Sequence, residues 1–228
     1  MTSTLAIFDL DHTLLTGDSD VLWCQFLVAQ GLLPPDQLAL NARMEADYRS
    51  GTVSAPAFSL FYVSTLGGRS PAFCAPWRQR FLQQEVLPRI PAAAHALVAS
   101  HRTAGHTLVM STATNRVITE LTAAALDIPH LIATEAALAA GLYTGRTQGV
   151  LNMREGKVQR LHAWLADRGL DDAARVQALA GAHFYSDSAN DLPLLRAVGH
   201  PTAVDPDDRL LAEAQARGWP VLRLNRSA

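Results

Sequence analysis

The sequence predicts an α/β protein: a doubly wound, mainly parallel sheet with helices on both faces and an all-helical block inserted after the first strand. Three observations carry this. From residue 91 onward, short apolar runs alternate with helical patterns, as parallel strands joined by crossover helices do. One strand-like run, TLAIFD at residues 4–9, stands apart near the start. Between the two, residues 16–88 carry helix signals only, so the insertion divides the chain into a core of 1–15 and 89–228 and a helical cap of 16–88.

Within the inserted block, TGDSD at residues 16–20 offers N-caps for a helix over 21–30, which Gly31 stops. A polar-faced helix over 36–50 follows Pro34-Pro35 and closes at Gly51. A third spans 55–66 and ends at Gly67-Gly68. Ser70-Pro71 is an N-cap and first-turn pair that opens a fourth, running through about residue 86. Beyond Pro91 come a helix at 92–102, a strand at 106–111 and a helix at 115–126. A strand at 130–134 and a hairpin around Gly141 follow, then a helix at 155–168. The remainder reads as strand 183–187, short helix 192–197, strand 201–205, helix 206–217 and a last strand at 220–224.

Composition narrows the function classes without choosing among them. Hydrophobic residues make up 49% and charged residues 18% of 228, as in an ordinary globular protein, and the net charge of −2 comes without a basic stripe. That speaks against nucleic acid as a partner. No apolar run reaches the length of a membrane span, and MTSTLAIFD has no basic region ahead of its strand, so neither a membrane anchor nor a signal peptide is expected. Cys24 and Cys74 lie far apart without CxxC spacing and read as buried thiols of a reducing, cytoplasmic compartment.

The chemistry gathers at strand ends. In open α/β sheets, ligands bind outside the carboxyl ends of the strands. The first strand ends in Asp9 and Asp11, set one residue apart, a costly like-charged pair. The strand HTLVMS ends in Ser111, followed by Thr112. HFYSDSAND ends in Asp187, with Asp191 four residues on, and Lys157 lies in the first turn of the helix after the hairpin. Each alone has a bland reading: a polar turn, a helix cap, a solvated lysine. Together, in order, at the ends of separate strands, they describe a site. Several carboxylates need a cation, and oxygen ligands without histidine or cysteine favour Mg²⁺ over zinc. A magnesium ion in turn calls for an anionic substrate, of which phosphate is the usual one.

The DLDHT segment after an apolar strand, the serine after HTLVM, the lysine and the DSAND segment resemble the haloacid dehalogenase (HAD) superfamily. The helical insert resembles its C1-cap group, and the whole chain is similar to subfamily IB, the phosphoserine-phosphatase-like hydrolases. The resemblance implies a Rossmann-like core. It implies Asp9 as the nucleophile that becomes an aspartyl-phosphate and Asp11 as the acid and base. Mg²⁺ is then expected on the Asp9 carboxylate, the Asp11 carbonyl and Asp187, with Asp191 in support. Ser111 and Lys157 are expected to hold the transferring oxygens, with Thr112 beside them, Thr13 as a brace and Asn190 reaching phosphate or substrate.

Two positions depart from the family pattern. His12 stands where Gly is common and is placed at the entrance or against the substrate. Asp18 stands where phosphoserine phosphatases carry a cap glutamate; the matching arginine has only Arg43 and Arg49 as candidates. Asp18 and Asp20 read either as helix caps or as a grip on a substrate amine. The expected substrate is thus a small phosphorylated metabolite, with amine-bearing esters such as histidinol phosphate in view. Of the insert aromatics Trp23, Tyr48, Phe58, Phe61, Tyr62, Phe73 and Trp77, most are expected in the core and one or two in the pocket. The rival readings are a phosphotransferase or mutase using the same aspartyl-phosphate, a phospho-accepting signalling domain and a scaffold that only binds a ligand. Oligomeric state has no sequence signal.

Overall fold

A computed structural model describes residues 3–224. The outermost residues of the expected core segments, 1–2 and 225–228, lie outside the described residues. The elements run β1 (Leu5–Phe8), α1 (Ser19–Ala29), α2 (Gln37–Arg49), α3 (Ala55–Ser64), α4 (Pro71–Phe81), α5 (Ala92–Thr103), β2 (Thr107–Asn115), α6 (Arg116–Ala125), β3 (His130–Ala139) and β4 (Leu142–Gln148). They continue α7 (Glu155–Ala166), α8 (Asp172–Ala180), β5 (His183–Ser186), α9 (Leu192–Ala197), β6 (His200–Val204), α10 (Asp208–Arg217) and β7 (Val221–Leu222). The seven strands form one sheet in the order β4-β3-β2-β1-β5-β6-β7, parallel except for the β3–β4 pair. β1 is therefore central, as a strand buried on both faces should be. The doubly wound sheet with helices α1–α4 between β1 and β2 is the expected fold. Among the described residues no helix is long and apolar enough to cross a membrane.

Strand alternation sorts the core. Ala6 and Phe8 of β1, with Leu108 and Met110 of β2, join Trp23, Phe26 and Phe81 of the insert on one face. Leu5 and Ile7, with Val109, join Leu161, Leu165, Leu194 and Leu210 of α7, α9 and α10 on the other. Each fully buried side chain of this size stabilises the fold by roughly 1.5–3 kcal/mol. A smaller cluster, Val21, Cys24, Phe58 and Tyr62, holds the insert together. Its helices are joined by Tyr62 Oη donating to Asn41 Oδ1 (2.8 Å) and Asn41 Nδ2 donating to the Val21 carbonyl (3.2 Å). Both cysteines are buried free thiols.

Three local expectations change. The run at 130–134 does not end before the hairpin: β3 is one ten-residue strand whose first half pairs with β2 and whose second half pairs with β4. The fourth insert helix is α-helical to Phe81 and then widens into a π-helical turn at Leu82–Val86. Helix α8 has no counterpart in the sequence reading, although Asp171 caps it by accepting from the Ala174 N–H (2.8 Å).

Candidate active site

Beyond Phe8 the alternation of β1 carries Asp9 to the face of Ile7, where α7 packs. Lys157, in the first turn of α7, is buried there at 2% exposure. Its Nζ donates to Asp9 Oδ1 at 2.7 Å and to Asp191 Oδ2 at 2.5 Å. Asp191 Oδ2 also accepts from Ser186 Oγ (2.7 Å). The Thr13 hydroxyl lies 3.3 Å from Asp9 Oδ2 and 3.2 Å from Asp187 Oδ1, and it accepts from the Asp187 N–H at 3.0 Å. Thr13 thus links two carboxylates from the ends of β1 and β5.

Asp11 faces the insert. Its Oδ1 accepts from the Ser19 N–H (2.6 Å), and its Oδ2 accepts from Thr114 Oγ1 (2.9 Å) and Thr112 Oγ1 (3.3 Å). Thr114 Oγ1 also lies 3.2 Å from Asp20 Oδ2. Asp18 is the N-cap of α1, accepting from the N–H groups of Asp20 and Val21 (2.9 and 3.0 Å). Asp18 thus caps the helix, and it also lines the cavity over the acids.

That cavity has a volume of about 670 Å³ and is walled by both the strand ends and the insert. Asp9, Asp11, His12, Asp18, Lys157, Asp187, Asn190 and Asp191 all line it. Tyr48 and Phe58 are the aromatics of the insert that reach it, and Asn190 Nδ2 donates to Tyr48 Oη (3.3 Å) across the gap. His12 has φ 54, the left-handed region that Gly occupies most freely, and its N–H donates to the Gly17 carbonyl (3.0 Å). Of the two arginine candidates, Arg49 lines the cavity and pairs with Glu45, whereas Arg43 pairs with Asp47 on the exposed side of α2.

Ser111 requires a correction. It is completely buried and forms no part of the cavity wall; its hydroxyl accepts from Asn152 Nδ2 at 3.1 Å. Successive strand residues face opposite ways, so the hydroxyls that meet the acidic loop belong to Thr112 and Thr114. Thr112 is itself fully buried behind Asp11, and Thr114 is the one that lines the cavity. Asn152, absent from the sequence reading, also donates to the carbonyls of Thr112 and Ile132, both at 2.9 Å, and so ties the ends of β2 and β3. Arg154, Asp205, Asp207 and Asp208 are further wall residues that were not anticipated.

The electrostatics are unbalanced. Ten carboxylates and four cationic side chains line the cavity. Burial pushes Asp9 up to about 7; Lys157 pulls it down, while Asp191 and Asp11 push it further up. Burial also raises Asp187, with Asp9 and Asp191 adding to it. Burial, then the charge of Asp11, lifts Asp18 to about 8, and Asp20 is raised by burial and by Asp18. Lys157 is held charged by Asp191 and Asp9 despite its own burial. One ammonium between two buried carboxylates leaves negative charge in excess, which a divalent cation would offset. The oxygen-only donor set around Thr13 fits a hard ion such as Mg²⁺, with Asp9 and Asp187 as the carboxylates placed to hold it.

Relatives bear on the same region. Residues 6–196 match the family model for haloacid dehalogenase-like hydrolases. A histidinol-phosphatase of Neisseria meningitidis serogroup C is 39% identical over 220 residues, which cover 96% of this chain and 97% of that one. A solved protein of unknown function from Bordetella pertussis superposes with a TM-score of 0.92 at 39% identity, covering 98% of this chain and 100% of that one. A phosphoserine phosphatase solved as an analogue of its phospho-aspartyl intermediate shares the fold, with a TM-score of 0.70 at 14% identity over 100% of this chain and 96% of that one. The chain belongs to the haloacid dehalogenase-like hydrolase family, and it is a phosphatase of that family.

Proposed function

We propose that the chain hydrolyses a small, amine-bearing phosphomonoester of the histidinol phosphate kind, in a Mg²⁺-dependent reaction through an aspartyl-phosphate on Asp9. The observation that carries the reading is Lys157 bridging Asp9 and Asp191 in a buried nest that opens on the cavity. Lys157 engages Oδ1 of Asp9, so the carboxylate is oriented and its charge partly offset, as a nucleophile approaching an anion requires. Oδ2 attacks phosphorus, and the bond to the leaving alkoxide breaks. Asp11 gives that oxygen a proton, then takes one from the water that cleaves the acyl-phosphate and frees Asp9. When bound between Asp9, the Asp11 carbonyl and Asp187, Mg²⁺ supplies charge neutralisation for the phosphoryl oxygens. Asp191 acts by anchoring Lys157, and Thr112 and Thr114 by holding Asp11 in place. The insert, residues 16–88, serves as the cap that walls the cavity and carries specificity.

Amine recognition is supported by the wall of Asp18, Asp20 and Glu45. Asp20 Oδ1 is buried without a hydrogen-bond partner, and Asp18 and Asp20 both carry raised pKa values that a cationic group would relieve. The name of the Neisseria meningitidis relative agrees with this. Phosphoserine is the poorer fit, because its carboxylate would face the same acids.

The test is phosphate release from histidinol phosphate, phosphoserine, amino-alcohol phosphates and sugar phosphates, with and without Mg²⁺. We expect release that needs Mg²⁺, favours histidinol phosphate over phosphoserine and falls by at least ~10³-fold in Asp9→Asn. Phosphate retained on Asp9 without release would move the chain to the transferase or signalling reading.

A further inference from the structure

At the opposite end of the same strands, three histidines converge. His101 lies in the last turn of α5, His106 in the link between α5 and β2, and His183 at the first residue of β5. The Nδ1 atoms of His101 and His106 are 2.8 Å apart, and His101 Nε2 is 2.7 Å from the Tyr185 hydroxyl. One ring nitrogen from each of the three histidines lies within 4.8 Å of the other two. His101 is buried and the other two are half-buried. Burial, then the neighbouring His183 and His106, brings the His101 imidazole down to about 4, and burial with His200 lowers His183. Both rings are therefore neutral at neutral pH, the form in which imidazole ligates a metal.

We propose that His101, His106 and His183 form a binding site for one late first-row divalent cation, of the Zn²⁺ kind, separate from the acidic cavity. Three imidazole nitrogens without a hard oxygen donor select Zn²⁺, Cu²⁺, Ni²⁺ or Co²⁺ over Mg²⁺. Imidazole nitrogens sit ~2.0–2.1 Å from zinc, so tetrahedral binding needs them ~3.3 Å apart. The His101–His106 pair opens slightly and His183 closes in, movements within reach of side-chain rotation. Whichever ring donates across the 2.8 Å bond transfers its proton from Nδ1 to Nε2. On His101 that Nε2–H donates to Tyr185 Oη, which then fixes the tautomer and ring orientation behind the ligand. His106 also borders a second cavity of about 600 Å³, which supplies an entry path and room for a water as fourth ligand. His183 and Asp187 are four residues apart on one extended segment, so the two sites lie roughly 13 Å apart. An ion here would clamp the end of α5 to the start of β5.

The experiment titrates an untagged, metal-free chain with Zn²⁺ by calorimetry, and with Co²⁺ as a visible-absorption probe. We expect one tight Zn²⁺ site and tetrahedral Co²⁺ bands, both kept in Asp187→Asn. In His106→Gln and His183→Gln the affinity falls by more than the ~10–100-fold that loss of a residue behind a ligand costs. Titrations of these two variants that superpose on the wild type would overturn the site. As a readout independent of variants, imidazole ¹H–¹⁵N spectra of the wild-type chain should shift on Zn²⁺ addition at His101, His106 and His183. Shifts confined to other histidines would equally sink the proposal.

Discussion

The two ends of strands β1 and β5 are built from opposite chemistries. At the carboxyl end sit Asp9, Asp11, Asp187 and Asp191 around one lysine; at the amino end sit imidazoles and a phenol. A parallel sheet makes this division natural. Helices that follow its strands point their N-termini at the carboxyl edge and their C-termini at the amino edge. The first edge offers N–H groups to anions, as Asp11 takes the Ser19 N–H at the start of α1. The second receives His101 in the last turn of α5. The carboxyl edge is tense, because its acids exceed its cations and are held up by burial and by one another. The histidine cluster at the amino edge contains no carboxylate, and burial lowers the pKa values of His101 and His183. One edge therefore concentrates buried charge, and the other joins the end of α5 to β5 through His101 and Tyr185.

The largest effect on stability should come from removing Lys157, the cation buried between Asp9 and Asp191. In Lys157→Met, Asp9 and Asp191 stay buried without their partner, and breaking a buried ion pair in this way costs about 3–5 kcal/mol. Chemical denaturation monitored by circular dichroism would measure it. Adding Asp191→Asn should recover part of that loss, because it removes one of the two stranded charges. If Lys157→Met were as stable as the wild type, the acidic edge would not be tense in the sense described.

What the sequence made legible follows from the same division. Asp9, Asp11, Asp187, Asp191 and Lys157 could be found because each sits at a fixed place relative to a strand end or helix start, and the chain displays those places as short apolar runs. Their meeting around one cavity is a consequence of parallel topology. The oxygen-holding hydroxyl was placed at Ser111, which meets Asn152 instead of the acids, because a run such as HTLVMST does not show where its strand stops; β2 in fact continues to Asn115. Asn152 gave no signal, since its acceptors come from β2 and β3, and only the folded sheet brings them together. The histidines carry no motif either. They are spread from position 101 to 183 and meet only through the pairing of β1 with β5 and the packing of α5. Helix α8 was legible and overlooked: DDAARVQALA has a capping aspartate and good helix formers.

A smaller effect, still at the carboxyl edge, tests whether uncharged groups share in its support. Asn152→Ala strands the Ser111 hydroxyl and weakens the tie to the Thr112 and Ile132 carbonyls, at a cost of about 1–3 kcal/mol. Because Thr112 holds Asp11, the same variant should lower kcat more than it raises KM. Denaturation and steady-state phosphate release would read the two effects separately. A stability loss with kcat intact would confine Asn152 to holding β2 against β3.

The smallest effect sharpens the comparison most, because Tyr185 touches both edges. Its backbone carbonyl accepts from the Asp9 N–H at 3.0 Å, while its hydroxyl reaches His101 Nε2 at the other end. Tyr185→Phe keeps the first bond and the stacked contact with Phe8, whose ring centroid is 5.3 Å away. It deletes only the hydroxyl and leaves a buried ring nitrogen without that partner, which costs about 1–2 kcal/mol. If the edges are independent, denaturation will show that loss while kcat and KM for phosphate release stay at wild-type values. A fall in kcat would mean that orientation of the histidines is transmitted along β5 to Asp9, and that the sheet couples its two ends instead of separating them.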